Sequence, residues 1–258
     1  RFTSNPVVFE HGEGKIGVSL LTSSAPSEAS AMKLIHICSS SSLGKTFIKI
    51  NGHYSSETPE AFSLTSGEEL IIGGSDDSLS GKLEGTIGQI IIIQKSIGNK
   101  EIEKVEGYLA SKWGITIPNT HPYLMSTPLS IEDSEVLSEV SSELWTPKEI
   151  GEDLKLWLDF SDKSTFIREH TDYYQNISKI IDKTSSAHVF TAHSSFSSRS
   201  PSQRYVDSTE NGLTMVNFTA DEYYSSESGA ILGSATDQYA FHIVSKVEYV
   251  DNKNDAIF

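Results

Sequence analysis

The chain has 258 residues, of which 35 are acidic and 20 are Lys or Arg, so its formal net charge is −15. This balance argues against nucleic-acid binding and against docking on an anionic membrane, because both surfaces are bound through clustered basic residues. The single cysteine, Cys38, excludes an intrachain disulfide, and its apolar surroundings in the sequence predict a small buried side chain. No segment approaches the ~20 apolar residues that a membrane-spanning helix needs, so we expect no membrane insertion.

Residues 1–97 have the pattern of short strands separated by turns of Gly, Ser and Asn. Lys45–Ile50 is rich in β-forming residues, and Asn51-Gly52 follows at once. This pair is a hairpin signal, because a type I′ turn needs positive φ at both central positions. The run Ile90–Ile93 has the length of a buried strand, and Gly85 and Gly88 precede it. With no helix pattern between these strands, the segment predicts an all-β antiparallel sandwich and not a parallel α/β sheet.

One short α-helix is predicted at about residues 100–113. Asn99 is a candidate N-cap, Glu101 places acid in the first turn, and Gly114 supplies a left-handed stop. We expect the helix to dock on the sandwich through Leu109 and Trp113. Its apolar residues recur at helical spacing and form one stripe: Ile102, Val105, Leu109 and Trp113.

Residues 125–149 form an acidic connector between two β segments. Residues 125–145 contain five acidic residues and no Lys or Arg. The alternative is an acidic arm that binds a partner, and Ser130 could cap a short amphipathic helix within the segment.

The β pattern resumes after this connector. Leu154, Leu156 and Leu158 alternate with more polar residues, and Asn211-Gly212 is a second hairpin signal. The stretch from Phe241 to Val247 alternates cleanly between apolar and polar residues, as a half-buried strand does.

Several of these motifs resemble a known family. Gly85–Ile93, the stretch from Glu101 to Gly114, and His121-Pro122-Tyr123 together resemble the closing segment of laminin-G-like, concanavalin A-like jelly-roll domains. Such domains occur in phage structural proteins and in bacterial surface proteins. The residues that carry the resemblance most strongly are Ile102, Val105, Tyr108, Leu109, Trp113 and Gly114.

The second half resembles the opening of the same domain type. The stretch from Trp145 to Asp162, which contains Trp157, is similar to the family's first strand. Residues 181–185 resemble its W-x-D-K-S-G turn, although Ile180 replaces the Trp and the glycines are absent. Residues 241–258 resemble the strand pair that reaches the middle of the domain.

The order of these segments predicts an unusual domain organisation. Residues 1–124 correspond to the C-terminal half of one jelly roll, and residues 150–258 to the N-terminal half of a second one. Neither half is expected to be stable alone, because its apolar inner face and edge strands would lack partners. The resemblance therefore implies tandem repeats in a longer chain; the alternative is that the two halves pair with each other as one permuted sandwich.

No catalytic constellation is evident in the sequence, so we expect no enzymatic activity. There is no strand-borne pair of carboxylates of the kind that glycosidases use, and no Gly-x-Ser-x-Gly elbow. Zinc is not expected, because one Cys and no closely spaced His pair give no ligand set. Calcium is the candidate metal, because it takes 6–8 oxygen ligands from loops and the resemblance implies that it can lie at the sandwich rim. The candidate ligands are Asp76, Asp77, Asp159, Asp162, Asp221 and Glu222. The alternative is that these carboxylates are solvent-exposed loop residues and that the chain binds no cofactor.

Two tyrosine doublets are candidate sugar-binding residues, because aromatic faces stack on sugar rings. They are Tyr173-Tyr174 and Tyr223-Tyr224. On a strand, one tyrosine of each doublet points inward, so one buried and one exposed ring is the alternative interpretation.

The resemblance implies a non-enzymatic structural or adhesive module of a phage virion protein, such as a capsid fibre or tail component. Its expected partners are other virion proteins, further copies of itself and host surface glycans. The alternative is a carbohydrate-binding module of an extracellular bacterial adhesin at the cell surface, and a glycoside hydrolase domain is the third hypothesis.

Overall fold

A computed structural model describes most of the chain. The described residues are 6–11, 14–19, 31–40, 45–58, 70–73, 83, 85–95, 98–129, 144–168, 177–194, 205–218, 222–227, 231–232 and 238–247.

The described elements are mainly strands. The helix α1 spans Asn99–Trp113, and a 3₁₀ segment spans Pro147–Asp153. The strands of the first half are β1 (Pro6–His11), β2 (Gly14–Ser19), β3 (Lys33–Ser40), β4 (Lys45–Ile50), β5 (His53–Thr58), β6 (Ile71–Ile72) and β7 (Gly85–Ile93). Those of the second half are β8 (Leu154–Asp159), β9 (Phe166–Arg168), β10 (Ile177–Ile181), β11 (Val189–Ser194), β12 (Tyr205–Glu210), β13 (Leu213–Phe218), β14 (Glu222–Ser226) and β15 (Tyr239–Val247).

Two antiparallel sheets are built from these strands. The larger has eight strands in the order β12-β13-β7-β15-β3-β4-β5, and β8 pairs with β7 beside this path. The smaller has five strands in the order β6-β14-β11-β10-β9. The strands β1 and β2 form a separate hairpin. The expected all-β antiparallel sandwich with one short helix is therefore confirmed for the described residues.

Each sheet contains strands from both parts of the chain. In the large sheet, β15 lies between β3 and β7, and β7 pairs along its other edge with β13 and β8. In the small sheet, β6 pairs with β14. The strands of residues 1–124 and of residues 150–258 thus complete each other's hydrogen bonding. The jelly-roll topology and the tandem arrangement of repeats stay predictions.

The main core fills the space between the two sheets. Ile35, Ile90 and Ile243 of the large sheet face Ile180 and Phe190 of the small one, and all five side chains are buried in one apolar cluster. The period of two along each strand explains this arrangement, because alternate side chains point to opposite faces.

The helix covers the outer face of the large sheet. Val105, Leu109 and Trp113 are buried against sheet residues such as Leu34 and Ile91, which belong to a second apolar cluster. The predicted docking through Leu109 and Trp113 is confirmed. No helix among the described residues is long and apolar enough to cross a membrane.

The ends of α1 match the sequence-based prediction at one end only. Gly114 ends the helix in the left-handed region at φ 66°, as expected. The predicted N-cap Asn99 is wrong, because the capping residue is Gly98. There the Glu101 carboxylate accepts a hydrogen bond from the Gly98 backbone N–H at 2.9 Å, which satisfies a donor that the first helical turn cannot.

Both Asn-Gly pairs form the predicted hairpin turns. Asn51 and Gly52 have φ values of 50° and 79°, and Asn211 and Gly212 have 51° and 75°. The second turn also reaches α1, because the Asn211 side-chain amide donates to the Lys112 carbonyl at 2.8 Å. This bond satisfies a carbonyl of the last helical turn, which has no partner within the helix.

Part of the acidic connector lies outside the described residues. Residues 130–143, which include the predicted short helix, are in this group. At either side of them, Leu129 and Leu144 form an isolated antiparallel bridge.

Candidate functional site

Two of the proposed calcium ligands lie at the end of β8, where they meet two lysines. The Asp159 carboxylate accepts from Lys112 Nζ at 2.6 Å and lies 3.4 Å from Lys183 Nζ. Lys183 also donates to Asp162 at 2.7 Å. Lys112 comes from the last turn of α1, so this network ties the helix to the strand.

The Lys112 ammonium is surrounded by polar and aromatic groups. Gln89 Oε1, on the central strand β7, accepts from Lys112 Nζ at 2.9 Å and from Trp113 Nε1 at 3.2 Å. The ammonium lies 5.9 Å from the ring centre of Tyr108 and 5.4 Å from that of Trp113. Burial raises the pKa of Tyr108 to about 12, so its hydroxyl stays protonated.

The network holds its carboxylates ionised. Burial alone would raise the pKa of Asp159, but the Lys112 charge and hydrogen bond, with Ser161 and Lys183, lower it overall. The hydrogen bonds from Lys183 and Ser164 lower the pKa of Asp162 to about 2. Burial lowers the pKa of the Lys112 ammonium although Asp159 lies beside it. The arrangement is an ion-pair network of two carboxylates and two lysines.

The described residues contain no group of three or more His, Cys, Asp or Glu side chains that could hold a metal ion. A cation at Asp159 and Asp162 would have to displace Lys183 from both carboxylates. Glu222 is buried at the start of β14. Asp76, Asp77 and Asp221 lie outside the described residues, so calcium at these positions stays a prediction.

The second tyrosine doublet is divided between the two faces of β14. Tyr224 is fully buried in the main core, and its hydroxyl donates to the Ile177 carbonyl at 3.1 Å. Tyr223 is half-buried on the opposite, outer face of the small sheet. Tyr173 and Tyr174 lie outside the described residues, so only Tyr223 remains as a described candidate for stacking on a sugar.

Tyr223 belongs to a polar patch on the outer face of the small sheet, which we call the β11–β14 patch. Its ring stacks on that of His193, the directly paired residue of β11, with centroids 5.1 Å apart and an interplanar angle of 17°. His193 Nε2 forms a hydrogen bond of 2.9 Å with the Ser225 hydroxyl. Beside them, Glu227 accepts hydrogen bonds from Lys179 and Thr191.

The β11–β14 patch combines the groups that sugar recognition needs. The Tyr223 and His193 rings are both half-buried and are held nearly parallel by two paired strands. Hydroxyl, ammonium and carboxylate groups lie along the same face. These side chains alternate with the core residues Phe190 and Ala192 of β11, so the sheet fixes their positions.

A buried charged cluster under α1 was missed by the sequence analysis. Glu106 is 1% exposed, and it accepts from Lys49 Nζ of β4 at 3.3 Å. Its other oxygen lies 3.3 Å from His121 Nε2. The available signal was the position of Glu106 one residue after Val105 in the apolar stripe, which places a carboxylate at the buried edge of the helix.

The motif residues that carry the family resemblance hold α1 in place. A Cβ on Gly88 would lie 2.7 Å from the Trp113 ring, and one on Gly107 would lie 2.5 Å from Tyr123 Cβ. His121 is bonded to Glu106, as described above. These positions are therefore explained by packing and need no ligand.

Comparisons of this chain with protein-family models, with curated proteins and with solved structures found no match.

Proposed function

We propose that this chain is a non-enzymatic structural and adhesive module of a phage virion protein, of the laminin-G-like type, and that it binds host surface glycans through the β11–β14 patch. The observation that carries the adhesive part is the parallel stack of Tyr223 on His193. Other virion proteins and further copies of this chain are its proposed structural partners.

The stack supports sugar binding because its geometry is preset. The two rings occupy paired positions on neighbouring strands, so little side-chain entropy is lost when a ligand covers them. The Ser225 hydroxyl fixes the His193 ring in its plane. A sugar lying on Tyr223 would have the Thr191 hydroxyl and the Glu227 carboxylate as further hydrogen-bonding groups on the same face.

A structural role is supported by the state of the buried charges. The carboxylates of Asp159 and Glu106 each contact a lysine, and both ion pairs join α1 to a strand. Each pair holds two elements together and leaves no free carboxylate for acid–base chemistry at these two positions. The virion setting rests on the resemblance of residues 85–123 to phage structural domains.

The adhesive part is tested with a glycan array and a matched pair of variants. Tyr223→Ala removes one ring of the stack, whereas Tyr54→Ala removes a 64% exposed tyrosine from the edge of the other sheet. We expect the wild-type chain and Tyr54→Ala to bind the same glycans, and Tyr223→Ala to lose binding by tenfold or more, because this variant lacks the aromatic face on which the sugar would stack.

Two outcomes would overturn this assignment. Equal binding by Tyr223→Ala and the wild type would show that the sugar site is not at Tyr223. The absence of binding to any glycan would contradict the adhesive role. The structural part is tested separately by mass spectrometry of purified particles, in which the chain should be found in a fixed copy number. A location on a bacterial cell surface would favour the carbohydrate-binding module of an adhesin.

A further inference from the structure

Two buried histidines face each other where the two parts of the chain meet. His36 of β3 and His242 of β15 are directly paired in the strand register. Their Nδ1 atoms are 2.9 Å apart, and both side chains are 0% exposed. They are 206 positions apart in sequence, so the contact joins a strand of the first half to a strand of the second.

The Nδ1–Nδ1 hydrogen bond restricts how many protons the pair can carry. One Nδ1 must donate and the other must accept, so at least one of the two rings is neutral. If both rings were protonated, two N–H groups would point at each other across 2.9 Å. Neither Nε2 atom has a hydrogen-bond partner among the described residues, so an added proton on Nε2 would be buried without an acceptor.

The surroundings of the pair further disfavour positive charge. Lys49 of β4 lies directly beside His36 in the same row of the sheet, and Ile91 of β7 lies beside His242. Glu106 is the carboxylate that α1 contributes to this region, and it is bonded to Lys49 and His121. On β3 the next side chain of this face is Cys38, which burial keeps as a neutral thiol by raising its pKa to about 11.

The sign of the pH effect follows from this environment. Burial, with the charge of Lys49, lowers the pKa of His242 to about 3, and burial, His242 and Lys49 lower the pKa of His36. The unfolded chain therefore takes up protons on both rings below about pH 6.5, whereas the folded chain does not. The stabilisation from the neutral pair is complete above that pH and is lost as the pH falls toward the folded pKa.

We propose that the His36–His242 pair is an acid-sensitive switch, which keeps β3 joined to β15 at neutral pH and weakens this junction on mild acidification. The switch acts through the folding equilibrium of the chain and is independent of what the β11–β14 patch binds. Each proton taken up only by the unfolded chain lowers the folding equilibrium constant by up to about tenfold per pH unit. For two rings the loss approaches about 100-fold per pH unit.

Urea denaturation of the chain between pH 7.5 and pH 4.5 tests the proposal. The double variant His36→Asn/His242→Asn keeps a hydrogen-bonding group near each Nδ1 position but cannot titrate. We expect the folding equilibrium constant of the wild type to fall steeply below about pH 6.5. The constant of the double variant should fall less steeply, and the difference between the two slopes should correspond to more than one proton taken up on unfolding. His53→Asn, which removes an exposed histidine of β5, should keep the wild-type slope.

A second measurement covers the case in which the double variant does not fold. Histidine C2-hydrogen exchange, read by mass spectrometry at each pH, reports the protonation of each ring in the wild-type chain. We expect neither His36 nor His242 to take up a proton between pH 7.5 and pH 5 while the chain is folded. Protonation of both rings in the folded chain in this range, or equal slopes for the double variant and the wild type, would overturn the proposal.

Discussion

The Trp113 indole lies against the backbone of Gly88, so that a Cβ on residue 88 would stand 2.7 Å from the ring. This contact seats the last turn of α1 on the central strand β7. The same indole donates to Gln89 Oε1 at 3.2 Å, which fixes the orientation of its ring. Gly88 and Trp113 therefore pack as one unit, and we expect a change in the volume of either residue to destabilise the contact.

Gly88→Ala should destabilise the fold by about 1–3 kcal/mol, because overpacking in a well-filled core forces side chains off their rotamers. The free energy of unfolding in urea measures this loss. Trp113→Phe vacates part of the contact, so the double variant should lose less than the sum of the two single losses. Strict additivity would show that Gly88 and Trp113 do not interact energetically.

Glu106→Gln should be among the most destabilising polar substitutions. It leaves the ammonium of Lys49, a residue that is 8% exposed, without its carboxylate, and breaking a buried pair costs about 3–5 kcal/mol. Glu103→Gln changes a half-buried residue of the same helix and is the matched control, with an expected loss below about 0.5 kcal/mol. Similar urea midpoints for the two variants would contradict this assignment.

Asn211 combines a turn conformation with a helix contact, and two substitutions separate these contributions. Asn211→Gly keeps the positive φ but loses the hydrogen bond to the Lys112 carbonyl, so we expect a loss of about 1 kcal/mol. Asn211→Ala loses both and should cost about 1 kcal/mol more, because residues with a Cβ are strained at positive φ. Thermal denaturation gives the ranking, and an alanine variant as stable as the glycine variant would contradict it.

The ion-pair network at the end of β8 should cause a second loss of folding stability, at a lower pH than the loss caused by the histidine pair. The pKa of Asp162 is held at about 2, against an ordinary value of 3.8, so the unfolded chain binds this proton first as the pH falls. Its stabilising contribution is complete above about pH 4 and is lost between pH 4 and pH 2. The pKa of Asp159 is displaced in the same direction.

Lys183→Gln tests this second loss of stability, because Lys183 Nζ lies within 4 Å of both carboxylates. The variant should show a flatter dependence of the thermal midpoint on pH between pH 4 and pH 2 than the wild type does. Its behaviour between pH 7.5 and pH 5 should be unchanged, since the histidine pair lies elsewhere in the sheet. If the thermal midpoints of the variant and the wild type depend on pH identically between pH 4 and pH 2, the Lys183 contacts do not lower the pKa values of these carboxylates.

Features with a local cause could be predicted from the sequence. The stripe from Ile102 to Trp113 repeats at helical spacing, and Gly114 stands where a left-handed residue is needed. The Asn-Gly turns follow from the backbone freedom of two neighbouring residues. The N-cap was misassigned because Glu101 can bond back to the Gly98 N–H, a contact between side chain and backbone that composition does not reveal.

Features that depend on distant pairs could not be predicted. Asp159 was considered as a calcium ligand because its own neighbourhood is a turn, whereas Lys112 reaches it from a helix 47 positions earlier. His36 and His242 have unremarkable local sequences and become a pair only through the register of β3 with β15. The stacking of Tyr223 on His193 could not be predicted for the same reason, since His193 belongs to another strand.

The place of β15 in the large sheet has a consequence for biosynthesis. This strand, Tyr239–Val247, fills the gap between β3 and β7. While the ribosome is still translating, β3 and β7 are available and the strand that joins them is not, so two strand edges lack partners. Closure therefore waits for residues near 247, and nascent chains that stall before that point would be candidates for aggregation or chaperone capture.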